Sequence, residues 1–148
     1  HQVVKINDYQ KNRFAQKIID HFGGDLSGKK ITILGWAFKA NTNDSRESPT
    51  IYVAKKLYDQ GAILQIYDPM VSKESIFSDI DFYWMNSKDK IKERIILLKA
   101  PSFKESDAVA ILTEWDEFKK IDFKKSKVFD GRNVLEESFY SIGVKTIE

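Results

Sequence analysis

The stretch from Lys30 to Tyr67 constrains the fold more than any other part of the chain. Lys30-Ile31-Thr32-Ile33-Leu34-Gly35 is a short, nearly continuous apolar run behind a Ser-Gly turn, the pattern of a strand buried on both faces of a parallel sheet. Ser48-Pro49 reads as a helix start, with Ser48 as N-cap and proline at the first helical position, where its missing N–H costs nothing. Ile51, Ala54, Leu57 and Tyr58 supply the buried face of that helix, and Gly61 ends it. Ile63-Leu64-Gln65-Ile66-Tyr67 is the next strand, stopped by Asp68-Pro69. A strand, loop, helix and strand of this length form a parallel crossover unit, which commits the chain to an α/β sheet.

The flanking sequence extends that unit in both directions. Asn7 with Gln10 resembles a capping box, and Phe14, Ile18, Ile19 and Phe22 share one face, so a helix is expected over residues 8–22, closed by Gly23-Gly24. Residues 72–80 read as a short helix, 81–93 as irregular and charged, and 94–98 as a strand. A short helix near 101–106 precedes the buried strand Ala108-Val109-Ala110-Ile111-Leu112-Thr113, and a helix starts over 114–118, with Thr113 available as its cap. Val128-Phe129-Asp130 is a strand, 134–140 a short helix and 144–147 an edge strand. The expected fold is α/β: a Rossmann-like, doubly wound, mostly parallel sheet with flanking helices, preceded by an N-terminal helix.

Composition narrows what such a fold can do. At 148 residues and 42% apolar, one domain is expected, burying roughly 70% of its unfolded surface. The chain has no cysteine, which removes thiolate nucleophiles, thiolate zinc ligands and iron–sulfur clusters. With two histidines, one of them His1, histidine metal or triad chemistry is nearly excluded, and no metal site and no catalytic residue are expected. A net charge of +2 implies neither a nucleic-acid nor a membrane partner, and no apolar window or leader pattern stands out, so a cytoplasmic protein is expected. The opening His1-Gln2-Val3-Val4, without a methionine, reads as a cut through a larger protein.

Function must then lie in local placement of charge, and in open parallel sheets ligands sit beyond the carboxyl ends of the strands. The connection Gly35-Trp36-Ala37-Phe38-Lys39-Ala40-Asn41-Thr42-Asn43-Asp44-Ser45-Arg46-Glu47 is far longer than a structural loop needs. It has neither GxGxxG nor a P-loop, yet it carries Lys39 and Arg46 just before a helix N-terminus, where a phosphate or pyrophosphate is favoured. Pairing of Arg46 with Asp44 or Glu47, with Lys39 merely solvated, is the open alternative. Phe129-Asp130-Gly131-Arg132-Asn133 offers an arginine able to make a bidentate contact with phosphate or carboxylate, or else an ordinary turn with a surface charge. Asp68 stands where dinucleotide-binding units keep an acid for a ribose, but without the glycine fingerprint a strand-ending Asp-Pro is the preferred reading. Trp115 and Phe118 read as core anchors of their helix rather than platforms for a base.

The first loop through Ser48-Pro49, with Tyr67-Asp68-Pro69, Phe129-Asp130-Gly131-Arg132 and Asn7-Asp8-Tyr9-Gln10, resembles the C-terminal domain of the UDP-glucose 6-dehydrogenase family. GDP-mannose and UDP-N-acetyl-hexosamine dehydrogenases share the loop, while Thr113-Glu114-Trp115 with Phe118 is more similar to the UDP-glucose branch. The resemblance implies a UDP-sugar-binding domain over residues 25–148, with 1–24 ending a connection to the rest of the polypeptide. It also implies two NAD-dependent steps that oxidise UDP-glucose to UDP-glucuronate, and a homo-oligomer built mainly through regions outside these residues. By the same resemblance Phe38 and Lys39 contact the UDP-sugar, Arg132 binds it across a subunit interface or cleft, and Arg46 approaches the NAD pyrophosphate. The family's thiolate, which traps the aldehyde, and its glycine-rich NAD site are not in this sequence, so the chain alone is expected to be inactive. A freestanding nucleotide-binding or regulatory module, and a flavodoxin-like interaction domain with a purely structural loop, are the rival readings.

Overall fold

The structure, a computed structural model, describes residues 2–85, 93–103, 105–123 and 126–132, with residues 2–10 described by their main chain alone. Among these residues five strands, β1 (Lys30–Leu34), β2 (Ile63–Tyr67), β3 (Ile95–Leu97), β4 (Ala108–Ile111) and β5 (Val128–Asp130), form one sheet in the order β3-β2-β1-β4-β5. All four pairings are parallel, and Ile31 lies in register with Leu64 on one side and Ala108 on the other. The central position of β1 explains its nearly continuous apolar run, since Ile31 to Leu34 are buried between two neighbouring strands. Strand order proceeds outward from β1 through β2 to β3, then reverses to β4 and β5. The reversal lies between β1 and β4, the place where open α/β sheets leave a crevice.

Among the described residues, four helices accompany the sheet: α1 (Gln2–His21), α2 (Pro49–Asp59), α3 (Lys73–Trp84) and the single turn α4 (Asp116–Lys119). Ser48 caps α2 as expected, its Oγ accepting the N–H of Thr50 at 3.3 Å. At the other end of α2, Arg94 Nη1 donates to the carbonyls of Tyr58 and Ala62, both at 2.9 Å, tying the helix end and its turn to the start of β3. The α1 stripe of Phe14, Ala15, Ile18 and Ile19 is buried, and α1 packs on α2.

Several local expectations change. Helix α1 starts at Gln2 rather than after Asn7, because no glycine or proline between them interrupts the helical main chain. Helix α3 runs to Trp84 rather than stopping at Ile80, since the buried Trp84 indole donates to the Ile51 carbonyl at 3.0 Å and draws another turn against α2. Described residues between 101 and 106 are not helical: Thr32 Oγ1 bonds Ser106 Oγ and the Ser102 carbonyl, tying that segment to β1. Thr113 does not cap α4, whose N-cap is Trp115. The helix expected over 134–140, the strand over 144–147 and Asn133 lie outside the described residues. Among the described residues no helix is long and apolar enough to cross a membrane.

Candidate functional site

The loops that follow β1, β2 and β4 meet at the reversal of strand order. Gly35 adopts φ +104°, and a Cβ there would lie 2.4 Å from Thr113 Cβ, so only glycine permits this approach. Thr113 is spent here: its Oγ1 donates to the Ala37 carbonyl at 2.9 Å, joining the β4 and β1 loops. The Gly35 N–H donates to the Tyr67 carbonyl at 2.8 Å, joining β1 to the end of β2.

Asp68 is the hub of this junction. Its Oδ2 accepts the main-chain N–H groups of Trp36 (2.7 Å) and Ala37 (2.9 Å) and the Trp115 indole N–H (3.2 Å). Its Oδ1 accepts those of Met70 (2.8 Å) and Val71 (2.9 Å). A carboxylate has about four lone-pair sites, so five donors leave none for a ribose hydroxyl. The strand-ending reading of Asp68 therefore holds, with an organising role that the Asp-Pro pair did not announce. Trp115 and Phe118 are both buried, as core anchors. Asp79 on α3 adds a second tie, accepting the Trp36 indole N–H at 2.9 Å and the Ser45 hydroxyl at 2.5 Å.

Beyond these ties the long loop carries its exposed residues. Phe38 donates its N–H to the Asp44 carbonyl at 2.8 Å while the residue is 49% exposed. Arg46 forks onto Asp44, with Nε to Oδ1 and Nη2 to Oδ2 both at 3.2 Å, realising the pairing left open from the sequence. The Arg46 hydrogen bonds hold the Asp44 carboxyl below its usual value, and Asp44 raises Arg46 in return. Phe38, Asp44, Arg46, Glu47 and Tyr83 line an open cleft of about 410 Å³, and Tyr83 Oη accepts the Glu47 N–H at 3.1 Å. A second opening of about 480 Å³ shares Asp44 and Arg46 with the first and is also lined by Ser75, Ser78 and Asp79.

The β5 loop joins the β1 loop through a residue that the sequence reading gave no role. Glu114 Oε2 accepts Arg132 Nη2 at 2.7 Å, and Glu114 Oε1 accepts the Ala40 N–H at 3.1 Å. Burial works to raise the Glu114 carboxyl, but hydrogen bonds from its own main chain, Arg132 and Ala40 bring it below its usual value. Strands β1 and β5 are not neighbours, so Glu114, at the end of the intervening β4, makes the connection. Phe38 and Arg46 thus border one cleft, while Arg132 is fixed beside the main chain that follows Lys39; Lys39 is exposed and has no partner among the described residues. Glu114 could have been found from its place three residues past a buried strand, in the loop at the carboxyl end of β4.

A family profile described as the UDP binding domain of the UDP-glucose/GDP-mannose dehydrogenase family matches residues 32–137, most of the chain. The chain belongs to this family. The stretch matched by the UDP-binding domain contains Phe38, Lys39, Arg46, Glu114 and Arg132 together. Over 145 residues the chain is 43% identical to the UDP-glucose 6-dehydrogenase of Pongo abelii, covering 91% of this chain and 29% of that protein. It is 41% identical over 160 residues to UDP-glucose 6-dehydrogenase of Drosophila melanogaster, covering 99% of this chain and 34% of the relative. The solved UDP-glucose dehydrogenase of the hyperthermophilic archaeon Pyrobaculum islandicum superposes with a TM-score of 0.74 at 26% identity, over 97% of this chain and 30% of that one. This member of the dehydrogenase family therefore spans about a third of the length of the relatives it matches.

Proposed function

We propose that this chain is the nucleotide-sugar-holding domain of a UDP-glucose 6-dehydrogenase, which oxidises UDP-glucose to UDP-glucuronate in two NAD-dependent steps. The observation that carries the reading is the meeting of two cation-bearing loops at the crevice, with Arg132 tied through Glu114 to the main chain next to Lys39. A nucleotide sugar offers a diphosphate to such cations, and holding it there aligns the distant C6 carbon for chemistry. In this reading Phe38 and Lys39 contact the UDP-sugar, Arg132 its charged or polar groups, and Arg46 the NAD pyrophosphate. Residues 1–24 end the connection to the remaining domains, 25–148 form the UDP-sugar domain, and the whole protein is a homo-oligomer. A cytoplasmic setting accompanies that substrate and cofactor.

NAD, when bound, supplies the hydride acceptor. The residues present fit one contact with it: the Arg46 side chain is 85% exposed beside the open cleft, and a pyrophosphate could accept the N–H groups now directed at Asp44. The sequence holds no GxGxxG fingerprint for the rest of that cofactor and no cysteine to carry the intermediate, so these 148 residues alone are expected to give no turnover.

The test is calorimetric titration of UDP, UDP-glucose and GDP into the 148-residue protein, its Lys39→Ala and its Arg132→Ala variants. Binding of UDP and UDP-glucose that weakens in both variants supports the reading. Tighter binding of GDP would move the substrate to another branch of the family, and the absence of any nucleotide binding would sink the proposal.

A further inference from the structure

We propose that Glu114 is the positioning residue of this site, holding the Arg132 guanidinium in place for a nucleotide diphosphate. This inference rests on the reading of Arg132 as a nucleotide-sugar contact. Arg132 is anchored at its main chain, where Asp130 Oδ1 accepts its N–H at 3.1 Å and the preceding Gly131 N–H donates to the Ile111 carbonyl at 2.9 Å. Space there is tight, since a Cβ on Gly131 would come within 3.2 Å of the Phe14 ring and 3.3 Å of the Ile111 carbonyl oxygen. The side chain beyond that anchor has long rotatable arms, and Glu114 is what fixes its far end.

The geometry favours presentation of Arg132 over sequestration. Glu114 divides its two oxygens between Arg132 Nη2 and the Ala40 N–H, so it cannot close a bidentate pair on the guanidinium without releasing Ala40. Arginine has five N–H donors in a rigid fork, and one engaged with Glu114 leaves others for an anion. With 28% of its side chain exposed, Arg132 is held without being enclosed. A side chain already immobilised loses less freedom when a ligand arrives, so Glu114 strengthens binding through Arg132 although its own charge repels a phosphate.

A double-mutant cycle tests this, with UDP as the titrant and the 148-residue chain as the protein. Glu114→Ala is expected to weaken UDP binding about five-fold when Arg132 is present, the loss expected from freeing one long side chain. In the Arg132→Ala background the same substitution should change binding by less than about two-fold, because Glu114 acts through Arg132. Equal losses in both backgrounds, no loss in either, or tighter binding by Glu114→Ala would overturn the proposal. Should Glu114→Ala fail to fold, Glu114→Gln, which keeps an acceptor for the Ala40 N–H, replaces it in the cycle.

A second measurement needs no nucleotide. At low temperature the guanidinium N–H protons of Arg132 should give separate NMR signals in the parent chain and averaged ones in the Glu114 variant. Averaged signals in the parent would overturn the positioning role. If the parent chain does not bind UDP, the nucleotide-site reading falls by itself and the guanidinium signals still decide whether Glu114 positions Arg132.

Discussion

Asp68 and Trp115 are joined across the crevice of the sheet, the indole N–H donating to Asp68 Oδ2 at 3.2 Å, on the same oxygen that accepts the N–H groups of Trp36 and Ala37. One carboxylate thereby ties together the loops that follow three strands. Replacing Asp68 by alanine strands five donors, several of them buried, and an unmet buried donor costs about 1–3 kcal/mol. Asp68→Ala is expected to lower stability by about 3 kcal/mol or more in urea unfolding. A loss below about 1 kcal/mol would show that water or rearranged neighbours replace the carboxylate.

Gly35→Ala is expected to be costly for two reasons that act together. The residue sits at φ +104°, and the added methyl would meet Thr113 Cβ at 2.4 Å and the Thr113 main-chain N at 2.6 Å, neither of which a side-chain rotation moves away. Strain and overpacking together predict a loss of more than about 2 kcal/mol. Thermal unfolding of Gly35→Ala beside Gly61→Ala, whose nearest neighbour is the more mobile Ser27 hydroxyl at 2.7 Å, checks the comparison. Equal losses would mean that backbone conformation, shared by both sites, dominates over crowding.

The alkaline limb of the stability profile should depend on Tyr67. Burial, and then the hydrogen bond from its hydroxyl to Glu117 at 3.0 Å, push the phenol from 10.0 up to about 12. A folded-state value above the unfolded one means that the contribution is fully present below pH 10.0 and is lost as pH rises toward about 12. Denaturant unfolding between those limits should fall more steeply with pH in the parent than in Tyr67→Phe, which has no proton to lose there. Parallel slopes for the two proteins would contradict the assignment.

Thr50 offers a change in the opposite direction. Its side chain is fully buried at the start of α2, and among the described residues its Oγ1 is the buried side-chain polar atom without a hydrogen-bond partner. Valine has the same shape without the hydroxyl to desolvate, and its helix propensity is close to that of threonine. Thr50→Val is expected to raise stability by about 1 kcal/mol, read as a higher midpoint in urea with an unchanged slope. A lowered midpoint would point to a role for the hydroxyl.

These outcomes bear on how much of the molecule its sequence discloses. Local rules expose β1 and the Ser48-Pro49 start of α2, because an apolar run and a cap are written in neighbouring residues. The same rules misplace the ends of α1 and α3, where the decisive facts are a helix that nothing interrupts and a Trp84 indole reaching the Ile51 carbonyl. Lys39, Arg46 and Arg132 can be named from loop chemistry, and Phe38 from the family resemblance alone. That Arg46 forks onto Asp44, and that Arg132 places a single N–H on Glu114 at a separation of 18 residues, depends on how the loops are brought together. Asp68 illustrates the difference most clearly: residue 68 follows a strand in any reading, but its five donors come from residues 36, 37, 70, 71 and 115.

The saturation of Asp68 has a consequence for how such a domain can diversify over generations. Because the acid at the end of β2 is wholly committed to the protein's own N–H groups, the framework of the sheet carries no preference for one guest over another. In the proposed reading, contacts to a guest fall instead to loop side chains such as Phe38, Lys39 and Arg132. On that reading a lineage can exchange one guest for another through a few loop substitutions, leaving the Asp68 junction untouched.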